Sequence, residues 1–391
     1  MTAGRLKVQL TLAVFAALPL CGLPFGPAYA GALFGLGGIL LLISAAADRH
    51  FAVEPVKPLL LALPFLALCW LSLIWSFDPH RSLRGALQLS GVLIGTAALW
   101  SFAPVFSPKD AQRLDRLMLI LTLVASVYLL INVIWYYQPA SAMDLPSSQT
   151  KYNRGLIYGL MLAWPQLAWR WNGGQGKKKL GFLLLLAVLM VEIGLGPSST
   201  ARMALVGGLG VWALASRWPG LVEKGLFAAL LLLLPALPPL VRLLEGYRPE
   251  LVGVIKFSAI HRLELWDYLS LHLLERPWQG WGLSTASLLP MTAEQAASYL
   301  WAKVPNYPHN QFLQIWVELG GLGMAAALPG LWGALRQVGK MSQAMRPFGY
   351  GAFASVIVVA MSDFEFTTDS WWAALAGMVL LFRLLASCQE A

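Results

Sequence analysis

The feature that most constrains this chain is the length of its unbroken apolar stretches. Residues 117–137, from Leu117 to Tyr137, contain no charged residue, and Leu226 to Val241 forms a second such run. Apolar stretches approaching ~18 residues mark membrane spans. In lipid every backbone polar group must be bonded internally, which leaves helices or closed barrels. These runs are too long and too continuously apolar for barrel strands, so helices are predicted. Composition agrees: 58% of residues are apolar and 12% are charged, about half the usual charged share of roughly 25%. The net charge of +9 is assigned to cytoplasmic loops, where Lys and Arg collect, and no nucleic-acid partner is expected. Cys21, Cys69 and Cys388 have neither metal-ligand spacing nor a pairing pattern.

About twelve spans of ~20 residues are predicted: 8–25, 29–47, 58–76, 83–103, 117–137, 155–170, 180–196, 200–216, 225–241, 309–335, 347–362 and 370–388. The basic start at Arg5 and Lys7, with Ala28-Tyr29-Ala30 behind it, also has the outline of a cleavable signal. Its apolar run is longer than the ~7–15 residues of a signal core, so it is read as the first span. With the N-terminus cytoplasmic, every second loop is basic, as the positive-inside rule requires. These loops carry Arg49 and Lys57; Lys109, Arg113 and Arg116; Lys177, Lys178 and Lys179; Arg217 and Lys224; Arg336, Lys340 and Arg346. The last outward loop carries Asp363, Glu365 and Asp369 and no base. The C-terminus is then cytoplasmic too.

One connection is long. Residues 243–308 span about 65 residues, far above the usual ~4–6, and such loops tend to be functional. On this topology the loop faces outward. Leu263, Trp266, Leu269 and Leu273 recur at helical spacing, predicting a helix over Phe257 to Glu275. A second helix is predicted over Leu283 to Leu300, after breaks at Pro277, Gly280 and Gly282. The fold class expected is all-α: a polytopic transmembrane bundle with a helical periplasmic cap. Three regions are expected: N-terminal transmembrane helices over 1–197, a catalytic region over 198–335 containing the 243–308 loop, and C-terminal transmembrane helices over 336–391.

Several cations sit where the charge rule disfavours them: Arg81 and Arg84, Lys151 and Arg154, and Arg202 just inside the eighth span. Arg262 lies on the cap helix, where the rule is weaker. A single arginine at a helix end is well explained by snorkelling to headgroups. The set together points to an anionic ligand, since a guanidinium makes paired charged hydrogen bonds to phosphate. The helix start at Ser198-Ser199-Thr200 favours an anion as well. His309 opens the tenth span after Asn306-Tyr307-Pro308. Taken alone it is more readily explained as a cap satisfying backbone groups. Near a helix start and arginines it is expected to stay neutral, and a neutral imidazole can act as a general base. No metal site is expected, because the other histidines lack ligand spacing and no carboxylates cluster. Glu318 falls roughly opposite His309 on its helix and is read as a packing contact. Glu192 is a buried acid of unknown partner, with Arg202 conceivable.

Three ordered stretches resemble the O-antigen ligase and O-antigen polymerase superfamily. They are Ser198-Ser199-Thr200-Ala201-Arg202; Arg262-Leu263-Glu264-Leu265-Trp266 with Glu275-Arg276-Pro277-Trp278-Gln279-Gly280-Trp281-Gly282; and Pro308-His309-Asn310-Gln311-Phe312-Leu313 with Glu318-Leu319-Gly320-Gly321-Leu322-Gly323. Trp75-Ser76-Phe77-Asp78-Pro79 resembles a further segment. The resemblance implies an inverting, metal-independent glycosyltransferase of the bacterial inner membrane, needing no cofactor. Its donor would be a glycan on undecaprenyl pyrophosphate at the periplasmic face, and its acceptor a sugar hydroxyl of lipid A-core or of another glycan. Carried over, Arg202 and Arg262 would hold the pyrophosphate and His309 would activate the acceptor. Arg84 and Arg154 are added from charge and topology alone. Polymerisation of O-antigen, capsule or exopolysaccharide repeats is the alternative, and a lipid-linked oligosaccharide flippase a more distant one.

Overall fold

The computed structural model describes residues 3–22, 60–102, 107–136, 147–172, 176–304 and 306–386, with isolated positions between 33 and 43. Among the described residues the chain is helical, and no strand is present. The longer helices are α1 (Ala3–Ala17), α2 (Leu63–Leu71), α3 (Pro79–Phe102), α4 (Pro108–Tyr136), α5 (Ser147–Asn172), α6 (Lys177–Leu195), α7 (Ser199–Arg217), α8 (Pro219–Gly246), α9 (Phe257–Glu275), α10 (Gln311–Gly339), α11 (Arg346–Ala360) and α12 (Asp369–Ala386). Eleven of these helices coincide with expected spans, and α9 lies in the long loop. The expected span 29–47 lies outside the described residues but for isolated positions, as do Arg49, Lys57 and Cys388. Among the described residues, three helices are long and apolar enough to cross a membrane: Pro108–Asn132 in α4, α8 and α10.

The helices pack through apolar faces joined by a few buried polar bonds. Helices α7 and α11 pair closely: Ser355 Oγ donates to the Ala204 carbonyl at 2.8 Å, and Trp164 Nε1 of α5 donates to Ser355 Oγ at 3.2 Å. In an apolar interior such bonds fix register as well as adding packing. Arg170 of α5 pairs with Asp115 of α4 at 2.9 Å, both buried. Glu192 is also buried, but Arg202 is not its partner. Its carboxyl bonds Ser126 of α4, because Arg202 is turned back onto its own helix start.

The 247–310 insert is folded. Helix α9 spans the predicted residues and buries Leu263, Leu265, Tyr268, Leu269 and Leu273. The second predicted helix, over 283–300, does not form. Ser284 takes a left-handed φ of 62°, and Leu289 is extended, as a residue before proline prefers. What remains is a short turn at Ala286–Leu288 and a brief helix, Ala293–Ser298. The latter starts at Thr292 in a reciprocal capping box with Gln295.

Two buried carboxylates hold the insert in place. Glu264, on α9, accepts the backbone N–H groups of Leu300, Trp301 and Ala302 at 2.7, 2.8 and 2.9 Å. It also accepts Arg248 Nη1 at 2.7 Å. Burial pulls its pKa up, but these bonds outweigh it and hold the carboxyl below the usual range. Glu264→Ala is expected to lower stability by roughly 3 kcal/mol, since it orphans three N–H groups and removes one of the two carboxylates paired with Arg248, which keeps Glu245. Faster proteolysis near residue 300 would report it; unchanged proteolysis would contradict it. Because the folded pKa is depressed, this contribution is present at neutral pH and is lost only as pH falls below the ordinary carboxylate range.

Glu318 is the second. It accepts Ser284 N at 2.7 Å and Ala286 N at 3.2 Å from the insert, and Gln314 Nε2 at 2.9 Å. Around it α10 is broken. Gly320 has φ 64° and ψ −160°, a conformation essentially confined to glycine. The segment Pro277 to Gly282 lies against this break. Trp281 N donates to the Val317 carbonyl at 3.0 Å, Gly282 N to Glu318 O at 2.8 Å, and Gly321 N to Pro277 O at 2.8 Å. A Cβ at Gly280 would stand 2.4 Å from the Glu318 carbonyl carbon, and one at Gly320 2.3 Å from the Trp278 oxygen. The paired glycines are what let the two backbones touch.

Candidate functional site

The site forms where the insert, α5 and the loop between α11 and α12 meet at the start of α10. Asn310 caps α10, its Oδ1 accepting Leu313 N at 3.1 Å. That cap leaves His309 outside the helix, with a left-handed φ of 51°. Such a φ is uncommon for a residue with a side chain and marks a position held by its surroundings. Those surroundings are visible. Trp266 Nε1 of α9 donates to the Pro308 carbonyl. The Tyr307 ring packs on the imidazole with centroids 4.2 Å apart.

Arg262 precedes Trp266 by one helical turn, so both project from one face of α9 toward this corner. Burial and the positive charge of Arg262, then of neighbouring His261 and of Arg154, push the His309 pKa down to about 3. The imidazole is therefore neutral across the physiological range. Asp363 faces it, with Oδ1 4.0 Å from His309 Nδ1. Burial raises the Asp363 pKa, opposed first by Arg262. Arg154 donates to Tyr307 and lies over the Phe364 ring at 5.7 Å. It reaches this corner because α5 begins at Ser147, two turns earlier than expected. Among the described residues, His309 Nδ1, Asn310 Nδ2 and Gln311 Nε2 are buried without a hydrogen-bond partner.

The acidic loop is pinned from α10. Phe366 N donates to Gln314 Oε1 at 2.8 Å, and Trp371 Nε1 to Gln311 Oε1 at 3.3 Å. Through Gln314 the loop connects to Glu318 and so to the insert. Arg202 stands beside this group. It donates to the carbonyls of Gly194 and Gly196 and to Ser199 Oγ, while Thr200 Oγ1 of its helix start donates to the Ser362 carbonyl at 3.4 Å. Of the residues named from sequence, His309, Arg262 and Arg154 are brought together; Arg202 neighbours them through Ser362. Arg84 is exposed on α3, and among the described residues no hydrogen bond or ion pair joins it to the others. Tyr307 and Asp363 were missed as site residues. Both were visible, one inside the Asn-Tyr-Pro-His stretch, the other in a loop expected to face outward, whose acids had no base of their own.

Arg262→Met is expected to raise the pKa of His309, because removing a cation favours imidazolium. The midpoint for modification of His309 by diethyl pyrocarbonate, which attacks neutral imidazole, should move to higher pH. An unmoved midpoint would show that Arg262 does not act on His309.

The sequence comparisons address this arrangement. Residues 180–328 match the O-antigen ligase family. The O-antigen ligase match takes in α7, the insert and the start of α10, and hence Arg202, Arg262 and His309; Arg154 and Asp363 lie outside it. Relatives named "Putative polysaccharide ligase" are similar over the same kind of length. One from Rickettsia conorii is 26% identical over 132 residues, 33% of this chain and 32% of the relative. One from Rickettsia bellii is 27% identical over 132 residues with the same shares. One from Rickettsia typhi is 28% identical over 136 residues, 33% of each chain. The chain thus matches about a third of the length of each of these relatives.

Proposed function

We propose that this protein is a glycosyltransferase of the O-antigen ligase type. It moves a glycan from undecaprenyl pyrophosphate to a sugar hydroxyl, that of lipid A-core in the leading reading, at the periplasmic face of the inner membrane. The observation that carries the proposal is His309, held at a left-handed φ and facing Asp363 at 4.0 Å, with Arg262 and Arg154 near enough to act on its charge. In the transfer, the acceptor oxygen attacks the anomeric carbon from the face opposite the pyrophosphate. A new C–O bond forms, the bond to the phosphate oxygen breaks, and its electron pair leaves with the pyrophosphate. The acceptor proton passes to His309. Arg262 and Arg154 stabilise the charge that develops on the leaving group.

A base with a pKa near 3 is weak, but the donor changes it. Burial depresses His309 most, and Arg262 and Arg154 add to it; a bound pyrophosphate offsets the arginines' share, so the imidazole gains some basicity when the substrate is bound. Asp363 then faces the imidazolium as it forms. The experiment is transfer by purified protein in detergent from an undecaprenyl-pyrophosphate glycan to lipid A-core, compared with a deletion strain. Product in vitro, and a strain with bare core and accumulated lipid-linked polymer, support the proposal. Core capped by single repeat units would instead mark a polymerase. Purified protein that forms no product on any glycan acceptor would leave flipping without transfer, and the proposal would fall.

A further inference from the structure

Glu192 of α6 is an acid that the site around His309 does not use. It is 3% exposed, and among the described residues no cation pairs with it. Ser126 of α4 bonds its carboxyl, yet among the described residues Oε2 is buried without a hydrogen-bond partner. A small cavity opens at this carboxyl, between α4, α5 and α6. Thr122, Ser126, Gly155, Gly159 and Pro19 are among the residues that line it. Gly155 and Gly159 stand one turn apart on α5, so both face the same way. A Cβ at Gly159 would meet nothing within 4 Å. The space suits about one water-sized particle.

The lining selects the occupant. The polar side-chain atoms in the wall are all oxygens, those of two hydroxyls and a carboxyl. Hard cations take oxygen ligands. Thr122 Oγ1 accepts Gln166 Nε2 at 3.2 Å, which fixes the hydroxyl and leaves it a second lone pair. Ser126, donating to the carboxyl, keeps both of its own. A single carboxyl carries a single negative charge, and among the described residues no three acids, histidines or cysteines gather. That matches a monovalent ion and not a divalent one. Thr122 and Ser126 lie on the stretch of α4 that is long and apolar enough to cross a membrane, where an unpaired carboxylate is costly. A bound cation removes that cost. A proton alone would leave an O–H on the carboxyl in need of an acceptor.

We propose that Glu192, Ser126 and Thr122 hold a sodium ion between α4, α5 and α6. Sodium is small enough for the space, and potassium is too large. The ion braces helices that carry two of the arginines discussed above. Arg154 directly precedes Gly155 on α5. On α6 the Glu192 carbonyl accepts Gly196 N at 2.9 Å, and the Gly196 carbonyl in turn accepts Arg202 Nη1 at 3.0 Å. The ion takes no part in making or breaking bonds, so the proposal is independent of the transfer reading.

The test is thermal unfolding of the full chain in detergent, followed by tryptophan fluorescence. Sodium chloride is exchanged for N-methylglucamine chloride at constant chloride. Saturating sodium is expected to raise Tm by roughly 3–5 °C, and potassium chloride should give much less. Glu192→Gln keeps the size of the side chain and removes its charge, so the sodium shift should vanish. Ser126→Ala removes one ligand and should reduce the shift; it carries the same decision should Glu192→Gln fail to fold. No sodium shift in the wild type overturns the proposal and makes Glu192 a protonated acid. An equal shift with potassium marks a general salt effect and overturns it as well. A full shift kept in either variant places the ion elsewhere, with the same consequence.

Discussion

His309→Asn is expected to reduce glycan transfer by about 10²–10⁴-fold, the usual contribution of a general base. Asparagine is the informative replacement because position 309 has a positive φ, which asparagine tolerates better than most residues. A loss of activity then reports the missing imidazole rather than a strained backbone. The protein should purify in normal amount and keep its affinity for the lipid pyrophosphate. The pH profile gives a second reading of the same residue. An unperturbed histidine would lose half its activity as pH falls to about 6.5. His309 in the free protein has its pKa near 3, so kcat/KM, which reports the free enzyme, should show no histidine limb between pH 7 and 5. The sign is fixed: the base works when neutral, so activity is lost only as pH falls through the pKa. Retained transfer in His309→Asn, or a limb near 6.5, would remove His309 from the role given to it.

Gly320→Ala is the second large effect expected, and it acts on folding. The new Cβ would stand 2.3 Å from the Trp278 carbonyl oxygen and 2.4 Å from its carbon. These are backbone atoms, which cannot swing aside as a flexible side chain can. The conformation itself, φ 64° and ψ −160°, adds strain for any residue with a side chain. Together they should cost roughly 3 kcal/mol or more and free the insert from α10. Gly321→Ala is the control. Its Cβ would meet the Trp278 ring at 3.4 Å, close to ordinary contact, and should change stability by less than about 1 kcal/mol. The measurement is proteolysis within 277–304 together with thermal unfolding. Equal behaviour of the two variants would mean that the insert does not depend on this contact.

Much of the fold was legible because it depends on local pattern. The apolar runs located helices at each described span, and the recurrence of Leu263, Trp266, Leu269 and Leu273 gave α9 its observed bounds. The failures share a cause. The expected helix over 283–300 was drawn from composition, yet the Glu318 carboxylate and the break at Gly320 hold that segment in another shape. No local pattern reveals a partner more than thirty residues away. The Glu-x-Gly and Gly-x-Gly stretches were visible as resemblances, but that they face each other is a fact of packing. Likewise charge and topology marked His309, Arg154 and Arg262 as outward residues, while their meeting with Asp363 needed four separate pieces of chain to converge. Arg84 shows the reverse case: the same charge argument applied, and packing leaves it on the surface.

The break in α10 also sets a height. Gly321 to Gly339 is the part of the helix beyond it, and at 1.5 Å per residue it measures about 28 Å. That is close to the ~30 Å hydrocarbon thickness of a bilayer. If this piece is the span, the outer piece from Gln311 to Leu319 stands clear of the lipid tails, joined to the insert by Glu318 and Gln314. His309 is then carried a further ~13 Å outward, out of the hydrocarbon altogether. A proton-accepting imidazole and a sugar hydroxyl both need water nearby, and a lipid-borne pyrophosphate sits at the same level. On the function proposed above, the kinked helix would act as a pedestal that holds the reacting groups at the plane where the head of a lipid carrier ends.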